Sequence, residues 1–185
     1  MASVPRVAVL AAGSATRFGG GKLEAICAGK PLGRWVLDAA EAAGLQPGTI
    51  VAGPDGVSFA DAWTVIVNPT PEAGLGSSLA LAAQHAADEE SLLVLLADMP
   101  LVTPAYLREL ASAKAPAAAR YPEGHAGVPA LHDRALIERA ATLSGDHGLG
   151  PMLRAAKLLD PAAGILRDVD TPDDLAEVER QLLAR

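Results

Sequence analysis

Short apolar runs alternate with amphipathic stretches along the whole chain, and this alternation restricts the fold more than any other feature of the sequence. The runs predicted to be strands are 6–12, 49–52, 64–67, 92–97 and 117–121. The stretches predicted to be helices are 32–43, 77–87, 104–113, 134–143 and 172–184. Most of the strand runs are too apolar to face water, which suits a parallel sheet covered on both faces. The sequence therefore predicts an α/β fold with a doubly wound, mostly parallel sheet in a three-layer sandwich.

The 185 residues contain no internal repeat and no linker long enough to divide them, so we expect a single domain over 1–185. Fifteen Lys and Arg against 22 Asp and Glu give a formal net charge of −7. This balance argues against nucleic acid and against an anionic membrane surface as general partners. The longest apolar runs, 7–12 and 92–97, are far shorter than the roughly 20 residues of a membrane span. Because the first of them is also at the low limit for a signal peptide, we expect a cytoplasmic protein.

A glycine-rich loop with two cationic side chains follows the first predicted strand. The stretch from Leu10 to Lys22 reads Leu-Ala-Ala-Gly-Ser-Ala-Thr-Arg-Phe-Gly-Gly-Gly-Lys. Glycines let backbone N–H groups approach a phosphate, and Arg17 and Lys22 add positive charge at the same place. A Walker loop would need Gly at position 16, and a dinucleotide fingerprint would need a small residue at position 24, so neither pattern fits. An ordinary flexible loop is the alternative interpretation.

Two acidic segments are candidates for a metal site. Asp98 ends the apolar run 92–97, while Asp168 and Asp170 point to the same side of an extended segment before the last predicted helix. Ligands bind at the carboxyl ends of strands in open α/β sheets, and Mg²⁺ takes oxygen ligands. One of the later aspartates could therefore complete a metal site with Asp98. The alternatives are a turn aspartate and a solvated charge. Asp173 and Asp174 are explained by the helix N-terminus alone.

Two further segments are weaker candidates. Ser77 and Ser78 lead into a predicted helix whose N-terminal N–H groups suit an anion or a base edge, although plain N-capping would explain them equally well. His125 and His147 lie in the glycine-containing segments 124–129 and 145–148. Each histidine could serve as a general base, but an isolated loop histidine is usually only solvated.

Taken together, these segments resemble the MobA-like nucleotidyltransferase family. The family pattern L-A-A-G-x-S-x-R-x-G-x-x-K aligns with Leu10 to Lys22, and further matches are 30–32, 68–69, 74–79, 98–100, 127–129, 145–148 and 168–175. Ala12 and the segment 145–148 are closer to the molybdopterin cytidylyltransferase branch than to the guanylyl-transferring branch. Two features depart from the pattern: Ala15 replaces the usual Ser, and Leu149-Gly150 replaces the branch's Ala-Arg.

The resemblance implies a Rossmann-like nucleotidyltransferase fold and the transfer of a nucleoside monophosphate from an NTP to a phosphate oxygen, with release of pyrophosphate. The favoured interpretation is an enzyme like CTP:molybdopterin cytidylyltransferase, acting in molybdenum cofactor biosynthesis. The alternatives are GTP or a different acceptor (a sugar phosphate, methylerythritol phosphate or phospholactate), or a non-catalytic nucleotide-binding module. The one protein partner that we expect is an enzyme that accepts the product through a transient contact.

The resemblance also implies roles for individual residues. The catalytic set is Arg17, Lys22 and Asp98, and Mg²⁺, with Mn²⁺ as the alternative, would be held by Asp98 and Asp170. Nucleotide contacts are expected from Leu10, Ala11, Ala12, Gly13, Arg17, Lys22, Ser77 and Ser78. The acceptor is expected near His125, Gly127 and Asp146.

Overall fold

A seven-stranded sheet forms the centre of the protein in the computed structural model, which describes residues 4–13, 15–143 and 150–185. The strands in chain order are β1 (Arg6–Ala11), β2 (Ile26–Cys27), β3 (Lys30–Pro31), β4 (Thr49–Ala52), β5 (Thr64–Val67), β6 (Ser91–Leu96), β7 (Ala117–Arg120), β8 (Ala126–Asp133) and β9 (Lys157–Leu159). The helices are α1 (Arg34–Ala42), α2 (Leu75–His85), α3 (Pro104–Ala111), α4 (Arg134–Ala140) and α5 (Pro172–Leu183). β2 and β3 form a separate two-stranded ribbon.

The strand order in the main sheet is β5-β4-β1-β6-β8-β7-β9. β1 is parallel to both of its neighbours, and the pairs β4–β5 and β7–β9 are also parallel. β8 is antiparallel to both of its neighbours, β6 and β7, so β6 and β7 run in the same direction. Six strands therefore end at the same side of the sheet, which we call the carboxyl edge. Their last residues are Ala11, Ala52, Val67, Leu96, Arg120 and Leu159.

Both faces of the sheet are covered, which confirms the predicted doubly wound, three-layer sandwich. Val7 and Val9 of β1 pack in one core cluster with residues of α1 and α3. Ala8 and Leu10 pack on the opposite face in a second cluster, with residues of α2 and α4. This alternation is the period-2 pattern of a strand buried on both sides. α5 belongs to a smaller third cluster, where Val178 contributes to the packing around the β2–β3 ribbon.

The five predicted strands and five predicted helices are all present, with ends displaced by at most three residues. The prediction missed β8 and treated 124–129 as a loop, because Gly127, Pro129 and the polar residues at its end do not read as a strand. The pairing register between β7 and β8 shifts at Ala118/Ala119, which leaves room for a residue without an N–H group. β5 also departs from expectation, since it is a sheet edge with exposed residues. No helix among the described residues is long and apolar enough to cross a membrane.

Candidate active site

Four charged side chains from distant parts of the chain meet at the carboxyl edge. The Lys22 Nζ atom lies 2.8 Å from Asp98 Oδ2 and 3.6 Å from Asp170 Oδ1. The Arg17 Nη1 atom lies 2.7 Å from Asp170 Oδ2. The Lys22 side chain is only 11% exposed, whereas that of Arg17 is 75% exposed. The contacts of Lys22 are therefore less screened by water than the contact of Arg17.

Asp98 and Asp170 are held together by the backbone. Asp98 follows β6, and its carbonyl oxygen accepts a hydrogen bond of 3.0 Å from the Val169 N–H group. The next residues form a capping box at the start of α5, in which the Thr171 hydroxyl accepts from the Asp174 N–H and the Asp174 carboxylate accepts from the Thr171 N–H. These hydrogen bonds fix the path of the chain on both sides of Asp170, so that its carboxylate reaches Lys22.

The capping box also explains the acidic residues that follow. Hydrogen bonds from the Thr171 hydroxyl and from Arg167 lower the pKa of Asp174 to about 2. Asp174 is therefore an anion over the physiological range and is engaged in the helix start, as the sequence predicted. Of the two candidate ligands that the sequence left open, Asp170 contacts both cations of the glycine-rich loop.

The three consecutive glycines shape the loop that carries Lys22. Gly19, Gly20 and Gly21 have φ angles of 91°, 96° and 62°, which residues other than glycine rarely adopt. The N–H groups of Phe18, Gly19 and Gly20 all donate to the Ala15 carbonyl oxygen at 3.0–3.1 Å. These amides are therefore committed within the loop. The glycines turn the chain back so that the 3₁₀ turn Lys22–Glu24 starts beside Asp98.

A cavity of about 580 Å³, which we call the first cavity, opens at the carboxyl edge beside Lys22 and Asp98. Its walls are the ends of β1 and β4, the glycine-rich loop and the start of α2. This volume lies within the range of small-molecule sites in proteins. The predicted nucleotide contacts that line it are Leu10, Ala11, Ala12, Gly13, Lys22 and Ser78, whereas Arg17 and Ser77 are not part of its wall.

The two serines bind Asn68 instead of capping α2. The Asn68 side chain is buried and donates to Ser77 Oγ at 2.8 Å and to Ser78 Oγ at 2.9 Å. The helix begins at Leu75 with Gly74 as its N-cap and without a side-chain cap, so the suggestion of N-capping by serine is wrong. The serines fasten the segment after β5 to the first turn of α2.

A second cavity of about 460 Å³ lies at the ends of β7 and β9. The end of β6 with Asp98 belongs to the wall of the first cavity, and in the strand order β8 separates β6 from the second cavity. Arg120 and Arg167 line the second cavity and pair with Asp160 at 2.7 Å and with Asp174 at 3.0 Å. Both ends of the carboxyl edge therefore offer a concave surface with cationic groups.

Tyr121 lines the second cavity and connects two of the predicted acceptor residues to it. The His125 ring stacks on the Tyr121 ring with centroids 5.1 Å apart. A Cβ atom at Gly127 would lie 2.4 Å from the Tyr121 ring, so a larger residue there would require this ring to move. Burial raises the pKa of Tyr121 to about 12, and the nearby carboxylates of Asp168 and then Asp98 add to this rise. The third predicted acceptor residue, at position 146, lies with the segment 145–148 outside the described residues.

The loop after β4 forms part of the first cavity's wall and is not among the segments predicted from the sequence. The Glu24 carboxylate accepts hydrogen bonds from the N–H group of Ser58, at 2.8 Å, and from its hydroxyl. This contact joins the glycine-rich loop to the loop after β4. The signal was visible as Gly53-Pro54-Asp55-Gly56 directly after a predicted strand.

In the described ranges, no group of three or more His, Cys, Asp and Glu side chains could hold a metal ion. Asp98 and Asp170 form a pair, and one cationic group, the Lys22 ammonium, contacts both of them. A pair of carboxylates that one cation can reach fits the Mg²⁺ sites of nucleotide enzymes. Such sites use one or two carboxylates and complete the coordination with substrate phosphates and water.

A doubly wound sheet with a cavity at its carboxyl edge is typical of the α/β proteins that bind their ligands at the carboxyl ends of the strands. The family model described as "MobA-like NTP transferase domain" matches residues 7–162, and the chain belongs to this family. The match includes Arg17, Lys22 and Asp98. Asp170 lies beyond it, so its connection to the site depends on the geometry described above.

Solved structures show the same fold. A nucleotidyl transferase from Methanothermobacter thermautotroptrophicus (Mth528) has a TM-score of 0.82 at 21% identity, with 99% of each chain covered. Rv0371c from Mycobacterium tuberculosis H37Rv has a TM-score of 0.82 at 25% identity, covering 97% of this chain and 100% of that one. A structure of Rv0371c in complex with manganese has a TM-score of 0.77 at 24% identity, covering 96% of this chain and 99% of that one.

Among the curated relatives is a protein that matches part of the chain. The bifunctional protein GlmU of Halorhodospira halophila is 36% identical over 110 residues, which are 56% of this chain and 23% of that protein. The chain therefore spans less than a quarter of the length of this relative.

Proposed function

We propose that this protein is a metal-dependent nucleotidyltransferase that moves a nucleoside monophosphate from an NTP to the phosphate of a small molecule. An acceptor oxygen attacks the α-phosphorus, the bond from that phosphorus to the bridging oxygen breaks, and pyrophosphate leaves. The observation that supports this proposal best is the contact of Lys22 with both Asp98 and Asp170 at the rim of the first cavity. Membership of an NTP transferase family supports it independently.

The chemical problem in this reaction is to bring two anions together. A phosphate monoester is already anionic at neutral pH, so the reaction needs no strong general base. It needs positioning and neutralisation of charge. We assign Lys22 and Arg17 to the β- and γ-phosphates, where they neutralise the leaving pyrophosphate. Both side chains pair with aspartates in the structure, and a triphosphate would offer them replacement anions.

Asp98 and Asp170 are the residues that would hold the divalent cation, Mg²⁺ or Mn²⁺. When bound, such an ion supplies Lewis-acid stabilisation of the phosphoryl oxygens. The manganese complex of Rv0371c supports a divalent cation in a protein of the same fold. The Lys22 ammonium contacts both carboxylates and would compete with such an ion for their oxygens.

The second cavity is our candidate for the acceptor site. It lies on the other side of β8 from β6 and the first cavity, so an acceptor there would approach Asp98 from the side opposite the nucleotide. His125 and Gly127 both pack against Tyr121 in its wall, whereas Asp146 is retained from the family resemblance alone. CTP and molybdopterin remain the favoured substrates, because Ala12 lines the first cavity and resembles the cytidylyl-transferring branch.

Release of pyrophosphate across four NTPs and several acceptors tests the proposal. The acceptor panel contains molybdopterin, a sugar 1-phosphate, methylerythritol phosphate and phospholactate, each with Mg²⁺. The proposal predicts release with at least one pair and its loss in Asp98→Asn. Asp88→Asn is the matched control, because Asp88 is an exposed carboxylate outside both cavities. Binding of NTP without release from any pair would favour a non-catalytic nucleotide-binding module.

A further inference from the structure

The first cavity extends from Asp98 towards the loop after β4. Asp98 follows β6, and β4 is two strands away across β1. Two inter-strand spacings amount to roughly 10 Å. If the phosphates lie beside Lys22 and Asp98, the ribose and base of the nucleotide therefore extend towards the loop after β4. The side chains of that loop would then lie next to the base and could form hydrogen bonds with it.

The loop after β4 presents Asp55 on a defined turn. The Gly56 N–H group donates to the Gly53 carbonyl oxygen at 2.9 Å, which closes a turn with Pro54 and Asp55 at its corners. Proline at the first corner restricts φ to the value that such a turn requires. The contact between Glu24 and Ser58 ties the far side of the loop to the glycine-rich loop. These two hydrogen bonds therefore fix the position of the turn that carries Asp55.

The Asp55 carboxylate has no interaction partner in the parts of the chain that the structure describes. Three carboxylates line the first cavity, namely those of Glu24, Asp55 and Asp98. Glu24 binds Ser58, and Asp98 binds Lys22. Asp55 forms neither a hydrogen bond nor an ion pair with any described residue, and its side chain is exposed at the cavity wall. A carboxylate without a partner in a ligand cavity is available to a donor on the ligand.

We propose that Asp55 selects nucleotides whose base carries an exocyclic amino group. An ionised carboxylate only accepts hydrogen bonds, so it pairs with the amino group of cytosine and repels the keto oxygen that uracil has in its place. By the same reasoning it favours guanine over hypoxanthine, which lacks the 2-amino group. This inference depends on the proposed function, because it places the base relative to phosphates bound at Lys22.

Calorimetric titration with Mg²⁺ and paired nucleotides tests this role without requiring an acceptor. We expect wild-type protein to bind CTP about 5- to 10-fold more tightly than UTP, and GTP more tightly than ITP. Asp55→Asn should bring each ratio within about twofold, because an amide offers both a donor and an acceptor. Removing a negative charge strengthens binding of every triphosphate, and the ratio within a pair cancels that effect.

The matched control is Asp88→Asn, which changes the net charge equally and should retain the wild-type ratios. Equal affinities for CTP and UTP in wild-type protein would overturn the inference, as would a ratio that Asp55→Asn leaves unchanged. Failure of the proposed function looks different, because NTPs would then bind with the same preference and release no pyrophosphate with any acceptor. If no NTP binds at all, the proposed function and the role of Asp55 are both refuted.

Discussion

Replacing the buried histidine of β8 should stabilise the protein, and the gain should grow as the pH falls. His132 is completely buried, and neither ring nitrogen has a hydrogen-bond partner among the described residues. An unsatisfied buried polar atom costs about 1–3 kcal/mol. We expect His132→Leu to increase the free energy of unfolding by about 1–2 kcal/mol at pH 7.5, because the larger side chain offsets part of the gain.

The pH dependence follows from the titration of the same ring. Burial lowers the pKa of His132 from its ordinary value of 6.5 to about 4, and the neighbouring Asp133 opposes this shift only in part. Between these values the unfolded chain binds a proton that the folded protein does not. The stability that depends on a neutral His132 is therefore fully present above pH 6.5 and is lost as the pH falls towards 4. The loss amounts to about 2 kcal/mol at pH 5 and about 3 kcal/mol below pH 4.

Urea unfolding of wild-type protein, His132→Leu and the exposed-histidine control His85→Gln, at pH 7.5 and pH 5.0, measures both effects. The difference between His132→Leu and wild type should be about 2 kcal/mol larger at the lower pH. The control should follow the wild type at both pH values. A difference that does not change with pH would refute the argument that burial suppresses protonation of His132.

The remaining predictions concern the candidate active site. Asp98→Asn should lower pyrophosphate release by at least about 100-fold while the midpoint of thermal unfolding stays within a few degrees, and wild-type turnover would remove Asp98 from the site. Lys22→Ala should slow release about 100-fold with CTP and GTP alike, and Arg17→Ala should slow it less because Arg17 is far more exposed. A loss with only one nucleotide would contradict a role on the phosphates. Asp170→Asn should raise the Mg²⁺ concentration for half-maximal activity, whereas Asp168→Asn should leave it nearly unchanged, and the reverse result would exchange their roles.

The layers of the fold were predictable because burial leaves a local signal. The apolar run of β6 and the cap, proline and acidic residues at the start of α5 each appear within a few consecutive residues. β8 left no such signal, because Pro129 and the irregular pairing beside it interrupt the alternation of a strand. Its antiparallel direction depends on the order of strands in the sheet, which no local pattern encodes.

The same distinction applies to the site. The carboxyl end of β6 and the glycine-rich loop identified Asp98 and Lys22 as candidates from the sequence alone. The choice between Asp168 and Asp170 could not be made there, because alternate residues of an extended segment face the same side. It depends on the hydrogen bond from Val169 to Asp98 and on the capping box of α5. Asp55 was missed because it reaches the cavity only when β4 lies beside β1.

Anomalous diffraction from crystals grown with Mn²⁺ and a CTP analogue that cannot be cleaved between its α- and β-phosphates tests the central claim most directly. We predict one manganese peak within about 2.2 Å of carboxylate oxygens of both Asp98 and Asp170, with Lys22 moved onto the triphosphate. A manganese peak away from this pair, or a nucleotide bound outside the first cavity, would contradict the account.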